Sequence, residues 1–145
     1  MAGDHTKTSS NNIEILTKGI GLKQYRNTTI FTKESSFVLS PSIGSESNWF
    51  DIRKVNLDRF TSDYSNGYLL VRFKDKLLFT DLREFIEKMI DENKCSDTEN
   101  SGVHWQFIIK EPLIINDTYK AVSRFSKKEI SLELVNKEQL IEIIK

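Results

Sequence analysis

The side chains best able to do chemistry in this 145-residue chain are few and scattered. Neither of its two histidines, His5 and His104, has a cysteine, a second histidine or a carboxylate at the spacing of a metal site. The single cysteine, Cys95, lies among Asp91, Glu92, Asp97 and Glu99, whose negative field disfavours a reactive thiolate. Glu92-Asn93-Lys94 has the acid-x-lysine spacing of a metal-dependent nuclease but falls at the end of an expected helix. Asp51-Ile52-Arg53 falls on an expected strand, yet arginine stands where that chemistry wants lysine. Gly19-Ile20-Gly21 is a fragment of a dinucleotide-binding turn without the third glycine and following helix, and reads more simply as a bend. These residues predict a chain without catalytic machinery, metal or cofactor.

Binding chemistry is better represented. Formal net charge is zero, with 21 basic and 21 acidic residues, but the charges are segregated. Ile15 to Lys33 carries Lys18, Lys23, Arg26 and Lys33 and no acid; Thr118 to Lys128 carries Lys120, Arg124, Lys127 and Lys128 and no acid. Asp81 to Glu99 holds seven acids against three bases. A neutral protein so patterned can turn a basic face to a polyanion. Within the first segment Gln24, Arg26 and Asn27 have the donor and acceptor geometry that reads base edges, and Tyr25 can stack. Two such arms emerging on one side of a β-rich body would clasp a DNA duplex. The competing reading makes both segments solvated loops, with Arg26 or Arg124 paired to the acidic helix. A rival function uses that helix, residues 81–92, as the docking surface of an interaction module of the immunity or inhibitor type, through Asp81, Glu84, Glu87, Asp91 and Glu92.

The elements that must position these residues follow from periodicity. Alternation predicts strands at 12–17, 28–32, 36–40, 49–54, 68–73, 77–79, 103–110 and 130–134. Phe50 and Ile52 should point inward, as should Trp105, Phe107 and Ile109, leaving His104 on the outer side or rim. Asn66-Gly67 and Lys74-Asp75-Lys76 carry turn signals, and Asn56 is placed to cap a helical turn. Leu82, Phe85, Ile86, Met89 and Ile90 form one helical stripe, capped by Thr80 or Asp81. Asn136 should cap a terminal helix carrying Leu140, Ile141 and Ile144. The expected fold is α+β: a mostly antiparallel β pseudobarrel with an internal helix at about 81–92 and a C-terminal helix. Residues 1–12 read as a flexible lead-in and 13–145 as a single domain. The lead-in lacks the apolar stretch of a secretory signal, no run is long enough to span a bilayer, and one cysteine suits a reducing cytoplasm.

One block carries a resemblance. Ser40-Pro-Ser-Ile-Gly-Ser-Glu-Ser-Asn-Trp-Phe-Asp-Ile-Arg-Lys-Val-Asn-Leu57, with Gly67-Tyr-Leu-Leu-Val-Arg-Phe73 and His104-Trp-Gln-Phe-Ile-Ile109, resembles the non-catalytic DNA-recognition domains of bacterial restriction systems. The likeness is to the B3-like domains that accompany restriction endonucleases and McrB-type restriction subunits, and spans roughly Phe37 to Lys110; the plant-type B3 pattern is not reproduced. It implies a pseudobarrel whose arms enter the major groove of double-stranded DNA, with Ser45, Ser47 and Asn48 adding contacts. It also implies that a nuclease or AAA+ motor lies outside this chain. On the competing reading Asn48 and Arg53 serve structure alone.

Overall fold

Alternation through residues 105–110 buries Trp105, Phe107 and Ile109 and turns Gln106, Ile108 and Lys110 outward, so this strand is the spine of one half of the sheet. The computed structural model describes residues 13–44, 46–100, 102–114 and 118–144. Among them are eleven strands: β1 (Lys23–Gln24), β2 (Ile30–Lys33), β3 (Ser36–Leu39), β4 (Ser42–Ile43), β5 (Trp49–Arg53), β6 (Asn66–Phe73), β7 (Lys76–Asp81), β8 (Ser96–Thr98), β9 (Gly102–Lys110), β10 (Tyr119–Ser123) and β11 (Glu129–Val135). The helices are α1 (Ile15–Gly19, a π-helical turn), α2 (Lys54–Leu57), α3 (Leu82–Met89) and α4 (Lys137–Ile143).

The strands form one curled sheet in the order β1-β2-β3-β6-β7-β11-β10-β9-β5, with β4 beside β6 and β8 beside β9. Only β6 has parallel neighbours, β3 and β4; every other pairing is antiparallel. The sheet is open, ending at β1 and β5, and does not close into a barrel. Its concave face gathers Phe37, Leu69, Val71 and Phe73 from one half and Phe50, Ile52, Trp105 and Phe107 from the other, with Leu82, Phe85 and Met89 of α3 among them. Phe85 meets Phe107 edge-on at 4.9 Å. The convex face of the first half buries Phe31, Val38, Leu70 and Leu77 beneath Leu16 and Ile20 of the α1 region and Leu140 and Ile144 at the α4 end.

Both longer helices start where the sequence places caps. Asp81 accepts a hydrogen bond from the Glu84 amide, and Asn136 forms a reciprocal capping box with Gln139 at 2.8 Å in each direction. Several expectations are corrected. Residues 13–19 are helical rather than extended, because Ile13, Leu16 and Ile20 all pack on the convex core, and i, i+3, i+7 spacing shares one face of a helix but not of a strand. Asn56 lies inside α2, whose N-cap position is Arg53. Asn66-Gly67 opens β6 instead of turning, and the glycine is there for space: a Cβ on Gly67 would fall 2.3 Å from Phe60 Cζ. His104 is buried, its Nδ1 2.9 Å from the Gly102 carbonyl oxygen. The 119–128 segment is half strand, since Tyr119–Ser123 forms β10 between β9 and β11. The lead-in 1–12 lies outside the described residues. No helix among the described residues is long and apolar enough to cross a membrane.

Candidate nucleic-acid interface

Strand direction decides whether the two basic segments can act together. β1 runs with β3 and β6, whereas β10 runs against them. The loop after β1, residues 25–29, and the turn after β10, residues 124–128, therefore leave from opposite ends of the sheet, with five strands between. The two-armed clasp expected from the sequence is not what this topology builds.

The first segment makes a cleft of its own. Lys23, Gln24, Tyr25 and Arg26 line one wall of a space of about 610 Å³ on the concave side of β1 and β2. The other wall is the stretch after α2, with Asp58, Arg59, Thr61 and Tyr64. That stretch returns from the β5 edge to the β2–β3 hairpin, where the Ser65 amide donates to the Ser35 carbonyl at 2.9 Å. Phe37 fixes it by packing on Phe60 and Tyr64, with ring centroids 5.1 and 5.2 Å away. Arg83 ties it to α3, donating to the Tyr64 and Ser65 carbonyls at 3.0 and 2.8 Å.

The half-buried Tyr25 ring is the centre of the cleft. The Arg59 guanidinium lies over it at 4.5 Å and that of Arg26 at 5.3 Å, both within cation–π range. Arg26 adopts a left-handed backbone, φ 50°, in a turn closed by the Thr28 amide and hydroxyl, both donating to the Tyr25 carbonyl. Gln24 turns its amide back to donate to the Thr28 carbonyl at 2.9 Å, and Asn27 is exposed at the tip. Asp58 is the only carboxylate lining the cleft among the described residues, and it is engaged by Lys54 Nζ at 3.0 Å, which raises the lysine pKa through that hydrogen bond and charge. Three cations, Lys23, Arg26 and Arg59, are left facing the opening.

The remaining expected residues divide. Lys18 is exposed on α1, and Lys33 spends its ammonium on the Ile20 carbonyl at 3.1 Å. Ser47 and Asn48 lie in the loop before β5, which by strand direction starts at the same end of the sheet as residues 25–29. Asn48 is exposed, and its carbonyl accepts from the Ile109 amide at 2.7 Å. Ser45 lies outside the described residues. Lys120 lies within β10, 3.7 Å from Glu129; at the other end Lys127 Nζ donates to the Arg124 carbonyl at 2.9 Å, Arg124 Nη1 donates to Gln106 Oε1 at 2.9 Å, and Lys128 is exposed. Arg26 and Arg124 thus go to Tyr25 and Gln106, not to the acidic helix. α3 itself presents a mixed surface, with Lys88 paired to Glu84 at 3.2 Å and Arg83 beside them.

Arg59 was missed by sequence reading because a lone arginine in Asn56-Leu-Asp-Arg-Phe60 has no pattern around it; only the return of its loop to Tyr25 gives it a place. Comparison with protein-family models, curated proteins and solved structures finds no match for this chain.

Proposed function

We propose that this protein binds double-stranded DNA and reads its sequence, with the cleft beside β1 as the contact surface. The observation that carries the reading is the Arg59–Tyr25–Arg26 stack, flanked by Lys23 and facing outward beside a loop that presents Asn27. Guanidinium and ammonium groups hold phosphates; Arg26 and Asn27, at the tip of a tight turn, are placed to reach base edges. Ser47 and Asn48, at the same end of the sheet, extend the contact. Arg124, Lys127 and Lys128 leave from the other end, Lys120 points outward from within β10, and none of the four takes part in it. The mostly antiparallel, β-rich sheet is what this chain shares with the pseudobarrel implied by the likeness to restriction-system recognition domains; the sheet is open where a barrel would close. On that likeness the protein is the targeting part of a cytoplasmic restriction system, and cleavage belongs to a nuclease or AAA+ motor domain or subunit elsewhere.

Selection from a random duplex pool tests the reading. The protein should enrich one motif, and Arg26→Ala should relax preference at one or two positions by about 1–3 kcal/mol. Failure to bind any duplex at low salt would remove the proposal.

A further inference from the structure

The convex face of the sheet is covered unequally. Over β2, β3, β6 and β7 it lies beneath α1 and α4, but outward residues of β5, β9 and β10 belong to neither core cluster. Register fixes what this second half displays. Trp49 stands opposite Ile108, which stands opposite Val122, making one apolar row across three strands. The neighbouring row is Lys110 directly opposite Lys120. Trp49 is 43% exposed, Lys110 is exposed, and Ile108 and Val122 are half-buried.

Both rows are unfavourable as they stand. Like charges directly opposite across a strand pair repel, and the surface contact of Lys120 with Glu129 at 3.7 Å offsets little of that. The indole leaves an apolar ring in water beside two further apolar side chains. A ligand that relieves both must carry a negative charge to lie between the lysines and a flat ring to cover the tryptophan. Duplex DNA offers the charge but keeps its base faces stacked inside; a single strand offers both. The local charge stays positive: the outward positions of β5, β9 and β10 carry Arg53, Lys110 and Lys120 against Asp51, with Glu129 of the adjoining β11 beside Lys120.

We infer that the β5–β9–β10 face is a platform for single-stranded nucleic acid, with a base stacked on Trp49 and its phosphate held between Lys110 and Lys120. This surface is separate from the β1 cleft and does not depend on it.

The two tryptophans make the test direct, because Trp105 is buried with its indole N–H bonded to the Asp91 carbonyl at 2.9 Å. Iodide should quench Trp49 alone in the free protein. Titration of the full chain with deoxythymidine and uridine oligomers of about 12 nucleotides should quench the Trp49 emission and shield it from iodide, and the two arms rank DNA against RNA. Trp49→Phe, checked for folding by circular dichroism, should lose the quenching and bind a labelled oligomer about tenfold more weakly, in line with one lost stacking contact. Lys110→Glu with Lys120→Glu should abolish oligomer binding, while Arg59→Ala, in the cleft, should leave it intact. Equal affinity of Trp49→Phe and wild type, or Trp49 emission that no oligomer alters, would overturn the inference. So would equal quenching by a duplex of the same length.

Discussion

At the residue scale, the account turns on side chains whose partners come from distant sequence. Tyr25 and Arg59 meet only because residues 58–65 return across the sheet opening, so Arg59→Ala, at an exposed position, should weaken duplex binding by about 1–3 kcal/mol while leaving urea stability nearly unchanged. A stability loss in proportion to the binding loss would make the stack a packing device instead. Gly67 is the structural hinge of that arrangement. An added methyl would meet Phe60 Cζ and Cε1 at 2.3 and 2.7 Å, so Gly67→Ala should cost about 1–3 kcal/mol. In a Phe60→Ala background the same change should cost less than half as much, and a double-mutant cycle in urea reads the coupling. The sequence marks Gly67 as special but for the wrong reason, because Asn-Gly advertises a turn, whereas close ring approach leaves no local signature.

At the element scale, long alternating strands were legible and short ones were not. Residues 49–53, 105–110 and 129–133 alternate against one continuous core, so pattern and fold agree, while 68–73 is buried on both faces, between the two cores. β1, β4 and β8 are two or three residues long and exist only because a neighbouring strand offers free backbone groups. The 13–19 stretch misleads because a few apolar residues fit either period; packing of Ile13 and Leu16, three apart, on one core selects the helix. The α4 cap was read correctly, and Asn136→Ala should lower stability by about 0.5–2 kcal/mol, seen as a lower urea midpoint at unchanged slope. The crossing from β3 to β4 is held by a buried arginine that no pattern announces. Arg72 donates through Nε to Ser40 Oγ at 3.0 Å and through Nη2 to the Ser40 carbonyl at 2.7 Å, while Ser40 Oγ donates to the Leu70 carbonyl at 2.7 Å. Burial lowers the guanidinium pKa to about 10, so it stays charged at neutral pH. Lysine lacks the planar fork, and Arg72→Lys should cost about 1–3 kcal/mol in urea; a neutral outcome would show that the fork is dispensable.

At the scale of the whole molecule, composition showed charge segregated along the chain but could not show how the segments are arrayed in space. Strand direction is a property of the complete topology, and it separates 25–29 from 124–128 even though both segments read alike. The duplex contact proposed above therefore draws its charge from the β1 cleft alone, and its electrostatics can be counted. Three cations, Lys23, Arg26 and Arg59, should release about 0.9 counterions per phosphate contact, giving a slope of roughly −2.7 in log affinity against log salt. The measurement that bears most directly on this is duplex affinity over a salt series for the wild type, Arg59→Ala and Lys127→Ala. The slope should flatten by about 0.9 in Arg59→Ala and stay unchanged in Lys127→Ala. A slope that flattens in Lys127→Ala but not in Arg59→Ala would contradict the cleft as the site of contact.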